Sequence, residues 1–358
     1  MTTEIVYAWL TGQDDNLGDS ALRRGYADAL RARGPLVVYV AGASDSYIGG
    51  LGLDESDRVV RKFLPWLGGA VWRASREPVT IALNAGEFSF SGRYTLIAVP
   101  LAAALGVFRR LGGRVVWLGA SVPRAVQGRT WLFRRLHRSA QLVRWRDQAT
   151  ALVFGPAPWM PDWVLGLEPS GGAGMDRVTL GLSLRGDRAY PSAAWLASVR
   201  EAAQRLGLEI VAIAQVERDS AYARRLASDL GGRAVVFDGG SHREQEHIVR
   251  TEYGRMRVLL SDRLHSLLIA ATEGAVPLGW CEAATAKIAR HFDPLGMPWV
   301  AVTPGRAATA VADLDRQTLD TLAGLARERM AAARVLLAEV AADVASDHWS
   351  DDAPARER

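Results

Sequence analysis

Cysteine is almost missing from this chain: Cys281 is the only one in 358 residues. One thiol cannot build an internal disulfide framework, so stapled secreted scaffolds are excluded and a reducing compartment suits the protein. Long apolar runs are missing too. The longest covers residues 94–108, carries Pro100 and falls short of the roughly 20 residues that span a bilayer. It reads as a buried helix. No charged-then-apolar leader precedes the first strand candidate, so the expectation is a cytoplasmic protein, with contact at most at the inner face of the membrane. Lysine is nearly absent, with only Lys62 and Lys287 among 43 basic residues. A GC-rich genome accounts for most of that bias, but arginine also brings a planar fork that grips carboxylate and phosphate with two prongs. The net charge is +4, and arginine is interleaved with aromatics in one segment only, so nucleic acid is not an expected partner.

What is present is an ordinary globular composition, 49% hydrophobic and 23% charged, in a chain long enough for two domains with separate cores. Short apolar runs alternate with helix-period segments along the whole length, which predicts parallel sheets with crossover helices. Strands are expected at 5–10, 36–40, 79–83, 114–118 and 141–145, and a helix at 19–33 that stops at Gly34. The stretch 166–176, GLEPSGGAGMD, has a linker's composition. Beyond it the pattern restarts, with strands at 178–184, 210–214, 234–237, 258–261, 276–279 and 299–302. A long Ala-rich helix at 314–344 and a polar tail expected to be disordered complete the chain. The fold class is therefore α/β, two doubly wound Rossmann-like domains facing each other in the GT-B-like manner. Domain bounds are 1–168 and 177–345, with 346–358 as tail. In such sheets ligands sit at the carboxyl ends of strands, so the cleft between the domains is the expected site.

The most informative segment is 258–280, VLLSDRLHSLLIAATEGAVPLGW. It reads as a buried strand, then Ser-Asp-Arg-Leu-His, an apolar helix, a glycine and a second strand. Arg263 falls where strand turns into helix, and there free N–H groups and the helix dipole favour an anion. Its fork adds a bidentate grip. His265 lies in the same turn, and histidine titrates nearest neutral pH, which suits a proton donor. Asn16-Leu17-Gly18-Asp19 forms a polar turn before the first helix, Arg146-Asp147 closes the first domain, Ser183-Leu184-Arg185 ends the first strand of the second, and Lys287 follows its Gly-containing strand.

Strand, Arg-x-His and helix in this arrangement resemble the C-terminal domain of the polysaccharide pyruvyl transferases. The Asn-x-Gly-Asp turn, the Arg-Asp pair, the arginine at 185 and Lys287 resemble further family elements in the same order, from about residue 5 to 300. One departure is clear: where the family has a glycine cluster after its third strand, this chain reads Asn84-Ala85-Gly86-Glu87-Phe88. The resemblance implies a transferase with phosphoenolpyruvate as donor and a sugar or lipid-linked oligosaccharide as acceptor, forming a pyruvate ketal without metal or cofactor. The first domain would then be the acceptor side and the second the donor side. It casts His265 as general acid and Arg263 as the anion grip. Arg185, Lys287, Asn16, Gly18, Asp19 and Leu264 become substrate-binding.

Simpler readings stand beside these. Asn16 and Asp19 are ordinary helix caps, Arg185 can pair with Asp187, Lys287 can be a solvated helix residue, and Arg146-Asp147 reads as a strand-end arginine with a capping aspartate. His242, Glu244, Glu246 and His247 cluster, but the two histidines are five apart and do not share a helix face, so no metal is expected. Trp159 and Trp163 read mainly as core. Residues 129–145 are basic and carry Trp131, Phe133 and Trp145; they read as a solvated helix and core strand, or as a stretch resting on anionic lipid. A rival function is a nucleotide-sugar glycosyltransferase of the same shape, with Glu273 and Glu282 as its glutamate pair and Asp238-Gly239-Gly240 seating a diphosphate. A third is a non-catalytic glycan-binding homologue.

Overall fold

The computed structural model describes residues 4–88, 93–123, 130–170, 176–280, 285–302, 307–346 and 349. Cys281, Glu282, the centre of the 166–176 linker and nearly all of the expected tail lie outside the described residues. By their contacts the residues form two compact units, neither contiguous in sequence. One comprises Met1–Asp14, Ser20–Trp163 and Leu336–Arg358; the other comprises Asp15–Asp19 and Val164–Val335.

The first unit is built on a parallel sheet of β1 (Ile5–Trp9), β2 (Leu36–Tyr39), β3 (Arg58–Val60), β4 (Val79–Leu83), β5 (Gly86–Glu87), β6 (Arg114–Ser121) and β7 (Leu142–Trp145). The order is β3-β2-β1-β4-β6-β5, with β7 also on β6. The central strands are the apolar runs predicted from sequence, and β4 is buried along its whole length, as a sheet covered on both faces demands. The helices are α1 (Leu17–Arg31), α2 (Asp45–Gly50), α3 (Phe63–Ala74), α4 (Arg93–Arg110), α5 (Thr130–Ser139) and α6 (Gln148–Phe154). The last four cover one face, driving Trp66, Leu105, Phe108, Phe133 and Phe154 into a core with Trp117 and Trp145. Trp163 stacks on Tyr26 at 5.5 Å and Trp159 donates its indole N–H to the Arg146 carbonyl at 3.2 Å, so both serve packing. The helix expected to be buried at 94–108 is α4, and the expectation is corrected on one point. It buries Leu101, Leu105 and Phe108 but leaves Leu96 and Val99 exposed, because a single helical layer touches the sheet on one side only.

The second unit has β8 (Thr179–Ser183), β9 (Glu209–Ile213), β10 (Arg233–Val235), β11 (Met256–Ser261), β12 (Val276–Trp280) and β13 (Ala301–Val302), all parallel, in the order β10-β9-β8-β11-β12-β13. This is the 3-2-1-4-5-6 order of a Rossmann sheet, whose winding reverses between its first and fourth strands, here β8 and β11. Its helices are α7 (Ala193–Leu206), α8 (Ser220–Leu230), α9 (His242–Gly254), α10 (Leu264–Thr272), α11 (Thr285–Phe292), α12 (Ala307–Ala312) and α13 (Arg316–Ala345), the last contributing residues to both units. The strand expected at 299–302 shortens to β13, because Pro298 opens a 3-10 turn before it. Among the described residues no helix is long and apolar enough to cross a membrane.

Candidate active site

The winding of the second sheet reverses where β8 and β11 end side by side, with Ser183 opposite Ser261. Ser261 Oγ donates to the Ser183 carbonyl at 2.5 Å and accepts the Arg263 N–H at 2.9 Å, which turns the chain from strand into helix within two residues. One turn later Ser266 Oγ lies 2.9 Å from Ser183 Oγ and donates to Gln215 Oε1 at 2.7 Å. This buried hydrogen-bonded set ties the exits of β8, β9 and β11 together and fixes the first turn of α10.

Arg263 occupies the N-cap position of α10 and is only 9% exposed. Its Nε and Nη2 donate to Asp219 Oδ2 at 2.8 and 2.5 Å, while Asp219 Oδ1 accepts the Gly186 N–H at 2.9 Å. Burial lowers the Arg263 pKa and the Asp219 carboxylate opposes that. One edge of the guanidinium is therefore committed, and among the described residues Nη1 is the arm left without a partner. Leu264, the first residue of α10, is buried.

His265 packs against the turn at residues 15–19, although that turn lies at the opposite end of the sequence. A Cβ on Gly18 would run into the His265 side chain and Gln215 Nε2, so glycine is what lets the turn approach. Asn16 accepts the Gly18 N–H at 3.0 Å through its Oδ1, capping α1, and pairs with Val216 in an antiparallel bridge. Leu17 donates to the Gln215 carbonyl at 3.3 Å, Glu217 donates to the Asp15 carbonyl at 2.8 Å, and Arg218 grips Asp15 at 2.6 Å. These contacts bring Asp19 Oδ1 to 3.9 Å from His265 Nδ1.

Arg185 leaves the end of β8, but its fork closes on Asp187, with Nε and Nη2 at 2.9 and 2.6 Å from the two carboxylate oxygens. The pairing holds the Asp187 carboxyl down to about 2. The Arg185 N–H donates to Asp262 Oδ1 at 2.8 Å, and Arg188 lies 3.6 Å from Oδ2. Burial pushes the Asp262 carboxyl up to about 6 against the pull of these groups and of Arg263. Lys287 lies on α11, which follows β12, and its carbonyl bonds the His291 ring at 2.8 Å. Sequence reasoning names Arg263, His265, Gly18 and Asp19 as separate site residues, and the fold brings them together. Sequence reasoning missed Asp262, Asp219 and Gln215. Asp262 sits inside Ser-Asp-Arg-Leu-His, so a signal was present; the other two carry none, because they reach the site only through the fold.

Other singled-out residues serve structure. Arg146 forms a buried pair with Asp162 at 2.5 Å and donates to Ser121 Oγ at 2.7 Å, and Asp147 caps α6. Ser241 and Glu244 form the capping box of α9, directly after Asp238-Gly239-Gly240. Glu273 is occupied by Arg250 at 2.6 Å and by the Ser170 N–H at 2.9 Å.

The two-sheet fold has solved counterparts. HepE of Anabaena, in complex with UDP, superposes with a TM-score of 0.57 at 14% identity, over 96% of this chain and 98% of that one. MnaA of S. aureus, also solved with UDP, gives 0.53 at 9% identity over 90% and 91%. A mutant O-GlcNAc transferase of Thermobaculum terrenum gives 0.52 at 14% identity over 95% of this chain, which spans 66% of that protein's length. At such identities the likeness shows the fold, two Rossmann-like domains of the GT-B-like class. No curated protein matches the chain by sequence. The model of one family does, over residues 16–275, a range that runs from the Asn-x-Gly-Asp turn past the Arg-x-His helix. The chain belongs to the polysaccharide pyruvyl transferase family, and it is a transferase.

Proposed function

We propose that the protein moves the pyruvyl group of phosphoenolpyruvate onto two hydroxyls of one sugar in a cell-surface glycan or its lipid-linked precursor. A cyclic ketal forms and inorganic phosphate leaves. The donor carries roughly three negative charges near neutral pH. The N–H groups that open α10 and the free Nη1 of Arg263 are suited to its phosphate or carboxylate, and Asp219 keeps the guanidinium in place. Arg185 joins them once the donor displaces Asp187, and Lys287 approaches from the neighbouring strand's exit to meet the leaving phosphate.

In this reading His265 protonates the vinyl CH2, and positive charge develops at the phosphate-bearing carbon. A sugar hydroxyl adds there and gives up its proton. The bond to phosphate oxygen then breaks, with the electron pair leaving on phosphate. The second hydroxyl adds to the same carbon and releases its proton, closing the ring. Asp19, beside Nδ1, orients the imidazole. Neither metal nor cofactor enters, and the single thiol supports a bacterial cytoplasm as the setting. The observation that carries the proposal is the placement of Arg263 and His265 in one turn at the reversal point of the second sheet, with His265 packed on Gly18.

Ligand-dependent thermal unfolding tests it. Phosphoenolpyruvate at 100 times its Kd should stabilise the protein by about 2.7 kcal/mol, and Arg263→Ala should abolish the shift. UDP-glucose is the control, because HepE and MnaA were both solved with UDP. Stabilisation by UDP-glucose and not by phosphoenolpyruvate would overturn the proposal in favour of glycosyl transfer.

A further inference from the structure

The helices α3 to α6, which cover one face of the first sheet, contain no acidic residue. Glu87 and Asp147 are consecutive acids in the sequence, and the 59 residues between them hold eleven arginines. The whole chain has 43 basic and 39 acidic residues, so outside this stretch 32 basic face 39 acidic; the positive excess is concentrated here.

The same layer is apolar on its outer side. Leu96, Val99, Ala103 and Val107 of α4 follow one another at helical spacing and all face solvent, while Leu101, Leu105 and Phe108 face the sheet. A helix apolar on both sides belongs to a buried environment, not to a layer with water on one side. Neighbouring helices extend the surface. Leu64 and Trp72 project from α3, Trp131 from α5, and Leu152, 85% exposed, from α6. On α5 the other outward positions are Arg134, Arg135 and Arg138, and next to α3 Arg76 stacks on Trp72 at 4.0 Å. The second unit lacks this character: α7 and α8 show both charge signs to solvent, with Glu201 and Asp229 among arginines.

We propose that the outer face of α3 to α6 rests on an anionic membrane surface. Its leucines, valines and tryptophans enter the boundary between headgroups and acyl chains, and its arginines meet lipid phosphates. A strong excess of positive charge, with Glu77 just past the end of α3 as an exposed acid paired to Arg73, an apolar surface spread over four helices in place of one deep groove, and exposed tryptophans match an interfacial bilayer contact. The inference holds whichever donor the active site uses. It also places the enzyme where a lipid-linked acceptor is found.

The full chain is sedimented with vesicles of phosphatidylcholine alone and with vesicles in which phosphatidylglycerol makes up a third of the lipid. Binding is expected to the second kind and to fall as salt is raised, since screening shortens the reach of surface charge to about 3 Å at 1 M. Replacing two arginines, Arg134→Ser with Arg138→Ser, should weaken partitioning about thirtyfold. Leu96→Gln with Leu152→Gln should remove the part of binding that survives high salt, and these exposed positions leave the thermal midpoint as a check on folding. Failure to bind either kind of vesicle would overturn the proposal. So would a concentration-dependent dimer in sedimentation velocity that the same substitutions abolish, because the face would then be an interface between copies.

Discussion

The two sheets share one strand order through their first four strands, yet the crevice at the reversal point is filled in opposite ways. At the ends of β1 and β4 it is occupied by a structural knot. Arg23 donates to Asn84 Oδ1 at 3.2 Å and to the Ala85 carbonyl at 3.1 Å, Asn84 donates to the Thr11 carbonyl at 2.8 Å, and Trp117 donates to the Asn84 carbonyl at 3.1 Å. At the ends of β8 and β11 the corresponding space holds Asp262, Arg263 and His265, with a guanidinium arm left open. Topology supplies the same crevice twice, and side chains decide how each one is filled.

That contrast can be broken by substitution. The largest effect is expected from His265→Ala, which should lower phosphate release from phosphoenolpyruvate and acceptor by about 10²–10⁴-fold while leaving the thermal midpoint nearly unchanged. An unaltered rate would make the turn as structural as the Asn84 knot. Asp219→Ala strands the buried Arg263 guanidinium, so chemical denaturation should show a loss of about 3–5 kcal/mol, together with weaker phosphoenolpyruvate binding.

Asp262→Asn tests the cost of burying a charge. A carboxyl raised to about 6 in the folded chain, against roughly 4 unfolded, makes stability fall as pH rises between those values and leaves it level above. The substitution should therefore add up to about 3 kcal/mol at pH 7 and nothing at pH 4, measured as the difference between two denaturation curves. The smallest effect belongs to the first crevice. Asn84→Ala should cost about 2 kcal/mol of stability and leave the Km for phosphoenolpyruvate where it was.

Most of the fold is legible in the chain, because apolar runs of strand length and helix-period segments are local patterns. The strand at 79–83 coincides with β4, and the turn into α10 begins where Arg-x-His placed it. Legibility fails where partners come from afar. The Arg185 fork was open to substrate or to Asp187, and only coordinates show it closed on Asp187. The loop at 84–88 is tied through Asn84 to Arg23, which lies 61 residues away along the chain. The sequence reads the outer stripe of α4 as core, since composition tells how apolar a helix is but not how many sides are covered.

The amino-acid order on its own determined the alternation of strands and helices and set an arginine and a histidine one turn into a helix that follows a buried strand. Local propensity and hydrophobic spacing suffice for that. The tertiary structure alone decided that Gly18 and Asp19 lie against His265, that Asp219 holds Arg263, and that Asp262 is buried enough to resist ionisation. Each of these depends on packing between segments far apart in the chain, and on the water that packing excludes, and neither is encoded in any local pattern.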